Sequence, residues 1–338
     1  MAMSGNQGQF EVDAISAVAE PTGPQIAGRS PAQIARARFL RDKASIAAAV
    51  VAGLYLLLAI AAPLLAKFEV IDPYNGNPDL IKGIGSTPTG NMGGISAGHL
   101  LGVEPGTGRD LLSRVFVGIS TSLTVAVGAT IISVVLGVVL GIISGYKGGK
   151  IDWLIGRVMD LVLSFPSTLM LIAMSIVVIR LIGGVVTPED DVSNEARIIY
   201  LILFLGFFGW PGVARVIRGQ VLSLREREFV EAAKSLGARS NRIFFKELLP
   251  NLWAPILVYT TLILPANISA EAALSFLGVG IQAPLPSLGV LLNNSVNYAI
   301  ADPAFFFIPG ALLIIAVISF NILGDGLTDA LDPKADRR

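Results

Sequence analysis

The sequence predicts an all-α membrane protein of six crossing helices, and three observations predict it. Of the 338 residues 53% are hydrophobic and only 15% charged, whereas about a quarter of an average soluble domain is charged. The apolar residues fall into six runs, each close to the roughly 20 residues needed to cross a hydrocarbon core of about 30 Å. Between the fourth and fifth runs stands one charge-dense segment, "EFVEAAKSLGARSNRIFFKELLPN" at 228–251, which suits a membrane surface and not its interior.

The runs occupy 44–66, 115–145, 161–179, 198–214, 252–270 and 304–323. Pro166, Pro211, Pro265 and Pro309 lie within them, where neighbouring helices can satisfy the carbonyls that proline frees. Residues 1–43 are expected as a cytoplasmic N-terminal tail, disordered over 1–28, whose Ala, Gly, Gln and Ser-rich sequence has no apolar run resembling a signal segment. The first run then reads as an uncleaved anchor. Residues 67–114 form an extracytoplasmic loop rich in Gly, Pro and Asn, 115–326 a five-helix core with a cytoplasmic loop at 225–250, and 327–338 a short cytoplasmic tail. With this arrangement nineteen of the 25 Lys and Arg residues lie on the inner side, the bias expected of cytoplasmic loops.

In the second run Gly137, Gly141 and Gly145 recur every four residues, a spacing that lets a second helix approach closely. After the fifth run the ten-residue stretch "AALSFLGVGI" is too short to cross and predicts a re-entrant or surface helix on the outer side. Charges near the spans are few. Arg157 and Asp160 are spaced to pair on one helix face; Arg180, Glu271 and Asp325 sit near run ends, where snorkelling or local pairing accounts for them. The chain has no cysteine and a single histidine, His99. Disulfides and thiolate metal sites are therefore excluded, a histidine-based zinc site lacks partners, and His99 reads as a solvated loop residue. A net charge of zero gives no reason to expect nucleic acid as a partner.

Within the charged segment Phe229, Ala232, Ala233 and Leu236 fall at i, i+3, i+4 and i+7, which predicts an amphipathic helix of two to three turns with one apolar stripe. Gly237 is placed to end it as a left-handed cap. Ser240 is placed as the N-cap of a second short helix carrying Phe244, Phe245, Leu248 and Leu249, and Pro250 passes the chain to the next span. Two readings of the first helix stay open: an interfacial helix on the inner leaflet, or a docking helix for a soluble partner. Ala232 and Ala233 leave its middle thin and Glu231 places an acceptor beside them.

Glu231, Ala232, Ala233, Gly237, Leu249 and Pro250 together resemble the EAA loop of bacterial ABC importer permeases. The stretches "TGRDLLSRVFVGISTSL", "DLVLSFPSTLMLIAM", "GWPGVARVIRGQVLSLREREFVEAAKSLGA", "AEAALSFLGVGIQAPLPSLGVLL" and "FNILGDGLTDALDP" resemble the dipeptide and oligopeptide subfamily of the DppC or OppC type. The resemblance covers most of 99–333, in order. Two departures are visible. Glu247 stands where the importer pattern has a hydrophobic residue, and "LGVEPGTGRD" replaces a shorter "LGTD", so that Val103 and Glu104 stand for Thr and Asp.

The resemblance implies a six-helix ABC importer permease bundle in the bacterial cytoplasmic membrane, with both termini inside and lipid around it. Its implied partners are a second, homologous permease subunit, two cytoplasmic ABC ATPase subunits and an extracytoplasmic substrate-binding protein. Phe229, Glu231, Ala232, Ala233, Leu236 and Gly237 would couple the bundle to an ATPase; Leu274, Phe276, Leu277 and Gly278 would meet the binding protein. The chain contains no G-x-x-x-x-G-K-[ST] phosphate loop, so ATP and Mg belong to the partner subunits and this chain carries no catalytic residue and no cofactor. Dipeptides or oligopeptides are the implied solutes. Nickel or other metal chelates and glutathione are alternatives within the same subfamily. An ATP-independent secondary transporter would show midplane charge or inverted repeats, and a non-transporting scaffold would copurify without ATPases.

Overall fold

The computed structural model describes residues 31–83, 86–90, 92–186 and 192–331; the expected tail at 1–28 and residues 332–338 lie outside them. Ten helices follow in order: α1 Pro31–Phe39, α2 Lys43–Lys67, α3 Leu111–Lys147, α4 Gly149–Ser164, α5 Ser167–Val186, α6 Asn194–Leu224, α7 Glu228–Ser235, α8 Ser240–Phe276, α9 Leu288–Ser295 and α10 Pro303–Leu331. Six of them, α2, α3, α5, α6, α8 and α10, are long and apolar enough to cross a membrane. At 1.5 Å per residue α3 and α8 are about 55 Å long, so both project well beyond a 30 Å core.

Helix ends follow local chemistry. Asp42 caps α2 by accepting from the Ala44 and Ser45 amides at 3.0 and 3.3 Å, and Asp110 caps α3 by accepting from the Ser113 amide at 2.8 Å and its hydroxyl at 2.6 Å. Pro166 does not lie inside a span, contrary to the sequence expectation. It separates α4 from α5, because the residue before a proline is pushed out of the helical region and Phe165 is extended, with φ −82° and ψ 134°. The third span therefore starts at Ser167, and α4 is a distinct amphipathic helix. In the other direction α6 outruns its expected end by a full ten residues, since Ile217 and Val221 keep one face buried while Arg215 and Arg218 occupy others.

The bundle centres on α3 and α6. The glycine stripe packs as its spacing predicts: a Cβ added at Gly137, Gly141 or Gly145 would lie 3.0, 2.8 and 2.9 Å from the carbonyl oxygens of Trp210, Ala214 and Arg218. Gly141→Val should therefore force the helices apart, at the roughly 1–3 kcal/mol typical of overpacking, and lower the unfolding temperature of the detergent-purified chain; an unchanged temperature would mean that α3 and α6 can separate freely. Around this pair, α2 and α10 pack with α3 and α8 in one apolar cluster containing Tyr55, Leu123, Ile268 and Phe320. A second cluster, with Leu171, Tyr200 and Leu205, seats α5 on α6.

The 67–114 loop is built, not irregular. Its described part contains a 3-10 turn at Pro78–Leu80 and a hairpin of β1 Ile81–Lys82 with β2 Thr87–Pro88, in the register Ile81 to Pro88 and Lys82 to Thr87. At its centre Arg114, wholly buried, holds Nε 3.0 Å from Glu104 Oε2 and donates to the carbonyls of Pro73 and Pro284 at 3.1 and 3.2 Å. Glu104 also accepts from Thr107 Oγ1 at 3.0 Å and Asn294 Nδ2 at 3.2 Å. Glu104 thus joins the loop to α9. His99 is likewise not a solvated bystander: its Nδ1 lies 2.9 Å from Asp110 Oδ1, the α3 cap.

The short outer helix falls elsewhere than expected. "AALSF" continues α8 without a break to Phe276, and the chain turns there; the short helix is α9, which starts twelve residues further on. Arg197 at the start of α6 fixes the intervening segment by donating to the Gly280 carbonyl at 3.1 Å, and Asn194 exchanges two bonds with the Gln282 backbone at 2.8 and 2.9 Å. Asp302 is buried just before α10, and burial pushes its carboxyl up against the pull of the Phe305 and Ala304 amides.

Candidate functional site: the charged loop between α6 and α8

The charged segment forms α7 and the first turns of α8. Helix α6 closes on Arg225, whose Nη1 donates to the Gly145 carbonyl of α3 at 3.1 Å. Helix α7 then starts after Arg227 with Glu228 and Glu231 in its first turn and Lys234 in its last, the distribution that complements the helix dipole. Its end is a Schellman motif: the Gly237 amide reaches the Lys234 carbonyl at 2.9 Å, the Ala238 amide reaches Ala233 at 3.0 Å, and Gly237 holds φ +77°. The cap predicted at Gly237 is thus present in full.

The apolar stripe is divided. Val230 is fully buried and Ala233 packs behind it, in a cluster with Val221 of α6, Val138 and Ile142 of α3, and Ile243, Leu248 and Leu252 of α8. Phe229, Ala232 and Leu236, one helical face, point away from the bundle; Leu236 is 88% exposed and Phe229 37%. Ala233 therefore belongs to the anchoring side and not to the outward face. The sequence did carry the signal for Val230, since Val230 and Ala233 are spaced i, i+3, but the neighbouring alanine pair obscured it. Glu231 and Gly237 are exposed.

Ser240 is not an N-cap, and no separate second helix forms. The Arg239 position starts a helix that passes through a π-helical stretch, Ile243–Leu248, directly into the span. Such stretches are frequent at functional sites. Pro250 breaks nothing: it follows the π-helical stretch directly, in the first positions of the α-helical segment after it.

Around this loop the adjoining helix ends are tied by ion pairs. Arg218 of α6 donates to both oxygens of Asp152 in α4, at 2.5 and 2.7 Å, and this holds the Asp152 carboxyl below the ordinary carboxylate range despite some desolvation. A depressed pKa means that the pair stabilises the fold above the unfolded carboxylate value, about 3.9, and loses that contribution as the pH falls through the folded value. Asp160 pairs with Arg215 across helices at 3.0 Å, not with Arg157 of its own helix, which instead lies over Trp153 at 5.8 Å. The break at Pro166 makes this cross-helix pairing reachable, because α4 lies beside α6 as a helix of its own.

At the C-terminal end of α8 the four residues expected to meet a binding protein divide similarly. Leu274 is buried in the core and faces inward, which corrects its assignment as a surface contact. Phe276, Leu277 and Gly278 are exposed, on a second Schellman turn in which Gly278, at φ +76°, and Val279 bond to the carbonyls of Ser275 and Leu274 at 3.0 Å each. Glu271 is no interfacial charge: it is fully buried, accepts from Ser275 Oγ at 2.7 Å, and lies beside the hydroxyls of Ser122 and Ser287.

Among the described residues, a six-span bundle thus carries a loop that presents a short helix, anchored on one side and bare on the other. Comparison with known proteins gives the family. Residues 137–337 match the family described as "Binding-protein-dependent transport system inner membrane component", and residues 30–80 match the "N-terminal TM domain of oligopeptide transport permease C". The oligopeptide transport system permease protein OppC of Escherichia coli (strain K12) is 36% identical over 92% of this chain and 93% of its own length. The dipeptide transport system permease protein DppC of Alkalihalophilus pseudofirmus is 35% identical over 93% and 95%. Among solved structures, the MetNI methionine ABC transporter in an inward-facing form is similar at TM-score 0.49 and 20% identity, over 70% of this chain and 100% of that one.

The chain belongs to the binding-protein-dependent inner-membrane permease family, in its OppC/DppC-type branch. It is a multi-pass permease component of an ABC transport system, and permease components of this kind leave ATP hydrolysis to partner subunits.

Proposed function

We propose that this chain is one of two homologous permease subunits of an importer for dipeptides or oligopeptides, with both termini in the cytoplasm, α7 docked on an ABC ATPase, and Phe276, Leu277 and Gly278 together with the outer loop facing a substrate-binding protein. The observation that carries this reading is α7 itself. Val230 anchors it at the junction of α3, α6 and α8, while Phe229, Ala232 and Leu236 are left uncovered beside Glu231. The names of the relatives, OppC and DppC, supply the solute class.

In this cycle the binding protein delivers a peptide at the outer face, and two ATPases closing on ATP draw the paired α7 helices together. A switch from 1:99 to 99:1 between bundle states needs a bias of about 5.5 kcal/mol, which nucleotide binding at two subunits can supply. The chain has no cysteine, so a single introduced thiol reports without background. A cysteine at Ala232 should cross-link to an ATPase subunit and be labelled only from the cytoplasmic side, and one at Leu277 only from the outside. Labelling of both from the same side would overturn the topology. Uptake of a labelled tripeptide by the reconstituted complex, set against uptake of a nickel chelate and of glutathione, tests the solute.

A further inference from the structure

One aromatic ring joins both arms of the inner loop to the central helix. Tyr146 is the penultimate residue of α3. The Nζ of Lys234, on α7, lies 5.4 Å from its ring centroid, within the roughly 6 Å reach of a cation–π contact. The ring of Phe244, in the π-helical start of α8, meets it edge-on with centroids 5.0 Å apart and planes at 87°. Tyr146 is partly buried against the cluster that also holds Val230 and Ala233. One residue before it, the Gly145 carbonyl accepts from Arg225 at the end of α6. Directly along α3 from this point run Gly145, Gly141 and Gly137, packed without spare room on α6.

Lys234 and Phe244 hold the ring from the two elements that flank Gly237. Helix α7 is anchored by the buried Val230 and by Ala233, and Lys234 adds a second contact, on the Tyr146 ring, near the other end of the helix. Tightly packed helices move as a body, so a displaced Tyr146 carries α3, and the glycine stripe carries α6 with it.

We propose that Tyr146 is the positioning residue through which α7 moves the bundle, its ring taking the displacement from Lys234 and Phe244 and passing it to α3. This rests on the reading of α7 as the ATPase-docking helix. The test uses the full complex of both permeases, the ATPases and the binding protein in proteoliposomes, and reads peptide taken up per ATP hydrolysed. Tyr146→Phe keeps the ring and both contacts and should retain the parental ratio. Tyr146→Leu keeps bulk but loses the aromatic face and should lower the ratio at least about fivefold, the low end of measured couplings between sites. Lys234→Met should lower it in part, and Tyr146→Leu with Lys234→Met should be no worse than Tyr146→Leu alone, because both remove one contact.

An unchanged ratio in Tyr146→Leu overturns the proposal, as does an equal loss in Tyr146→Phe, or a fall of uptake and hydrolysis in proportion, which would assign the ring to packing alone. Ala232→Trp in the same assay separates the two levels. If it uncouples while Tyr146→Leu does not, only the role of the ring fails; if it does not uncouple, the docking reading fails and the proposal with it.

Discussion

Replacing Ala232 by tryptophan is expected to abolish productive transport in a chain that still folds and inserts. Ala232 is exposed, in the middle of the face bounded by Phe229 and Leu236, and the residues that hold α7 to the bundle, Val230 and Ala233, lie on the opposite side. An indole at this position fills the thin part of the face and should hold a docked partner off. Uptake per ATP by the reconstituted complex should fall at least tenfold, equivalent to about 1.4 kcal/mol, while chain yield in the membrane and monodispersity stay as in the parent. Substitution at Gly237 acts differently. A side chain there meets no neighbour within 4 Å, but φ of +77° costs any other residue on the order of 1–2 kcal/mol. Gly237→Val should thus unwind the end of α7 and give a similar uncoupling without obstructing the face. Unaltered uptake in both variants would remove the docking assignment.

The legible parts of this molecule were those whose signal is periodic or repeated. Apolar runs located six spans because twenty residues of uniform character leave little ambiguity, and glycines at every fourth position marked the α3 face that meets α6. The charged loop was legible as a helix with a glycine stop because Gly237 is the one residue in "KSLGA" that adopts a left-handed cap without strain. What escaped was decided by single contacts between residues far apart in sequence. Nothing near Glu104 or Arg114 says that they pair, as the loop carries no period and the partner carbonyls come from Pro73 and Pro284. Glu271 reads as an interfacial charge from position alone, yet the segment after α8 folds back and buries it together with Arg197. At Pro166 the membrane reading worked against the local rule: proline inside a span is tolerated when neighbours satisfy the backbone, and here the helix simply breaks.

The buried pair in the outer loop leads to the second large effect. Arg114→Met removes the cation but leaves Glu104 at 3% exposure and strands the carbonyls of Pro73 and Pro284. Breaking a buried ion pair from one side typically costs about 3–5 kcal/mol, because the surviving charge is left uncompensated. The outer loop and the segment leading into α9 should therefore loosen together, seen as protease nicking within 67–114 from the outer face and as a lower unfolding temperature. Glu104→Gln alone should also destabilise, though less, since Arg114 keeps both carbonyls. The ordering of the double variant is the discriminating result. Glu104→Gln with Arg114→Met carries no buried charge, so it should be more stable than Arg114→Met alone and still below the parent, with only the two carbonyls left unpaired. If the double variant were as damaged as the sum of the singles, the two residues would act independently and the 3.0 Å contact would contribute nothing of its own. If instead it recovers, Glu104 is half of a device that fixes the 67–114 loop to the bundle, and peptide uptake driven by the binding protein should fall with the loop's order while ATP hydrolysis without the binding protein does not.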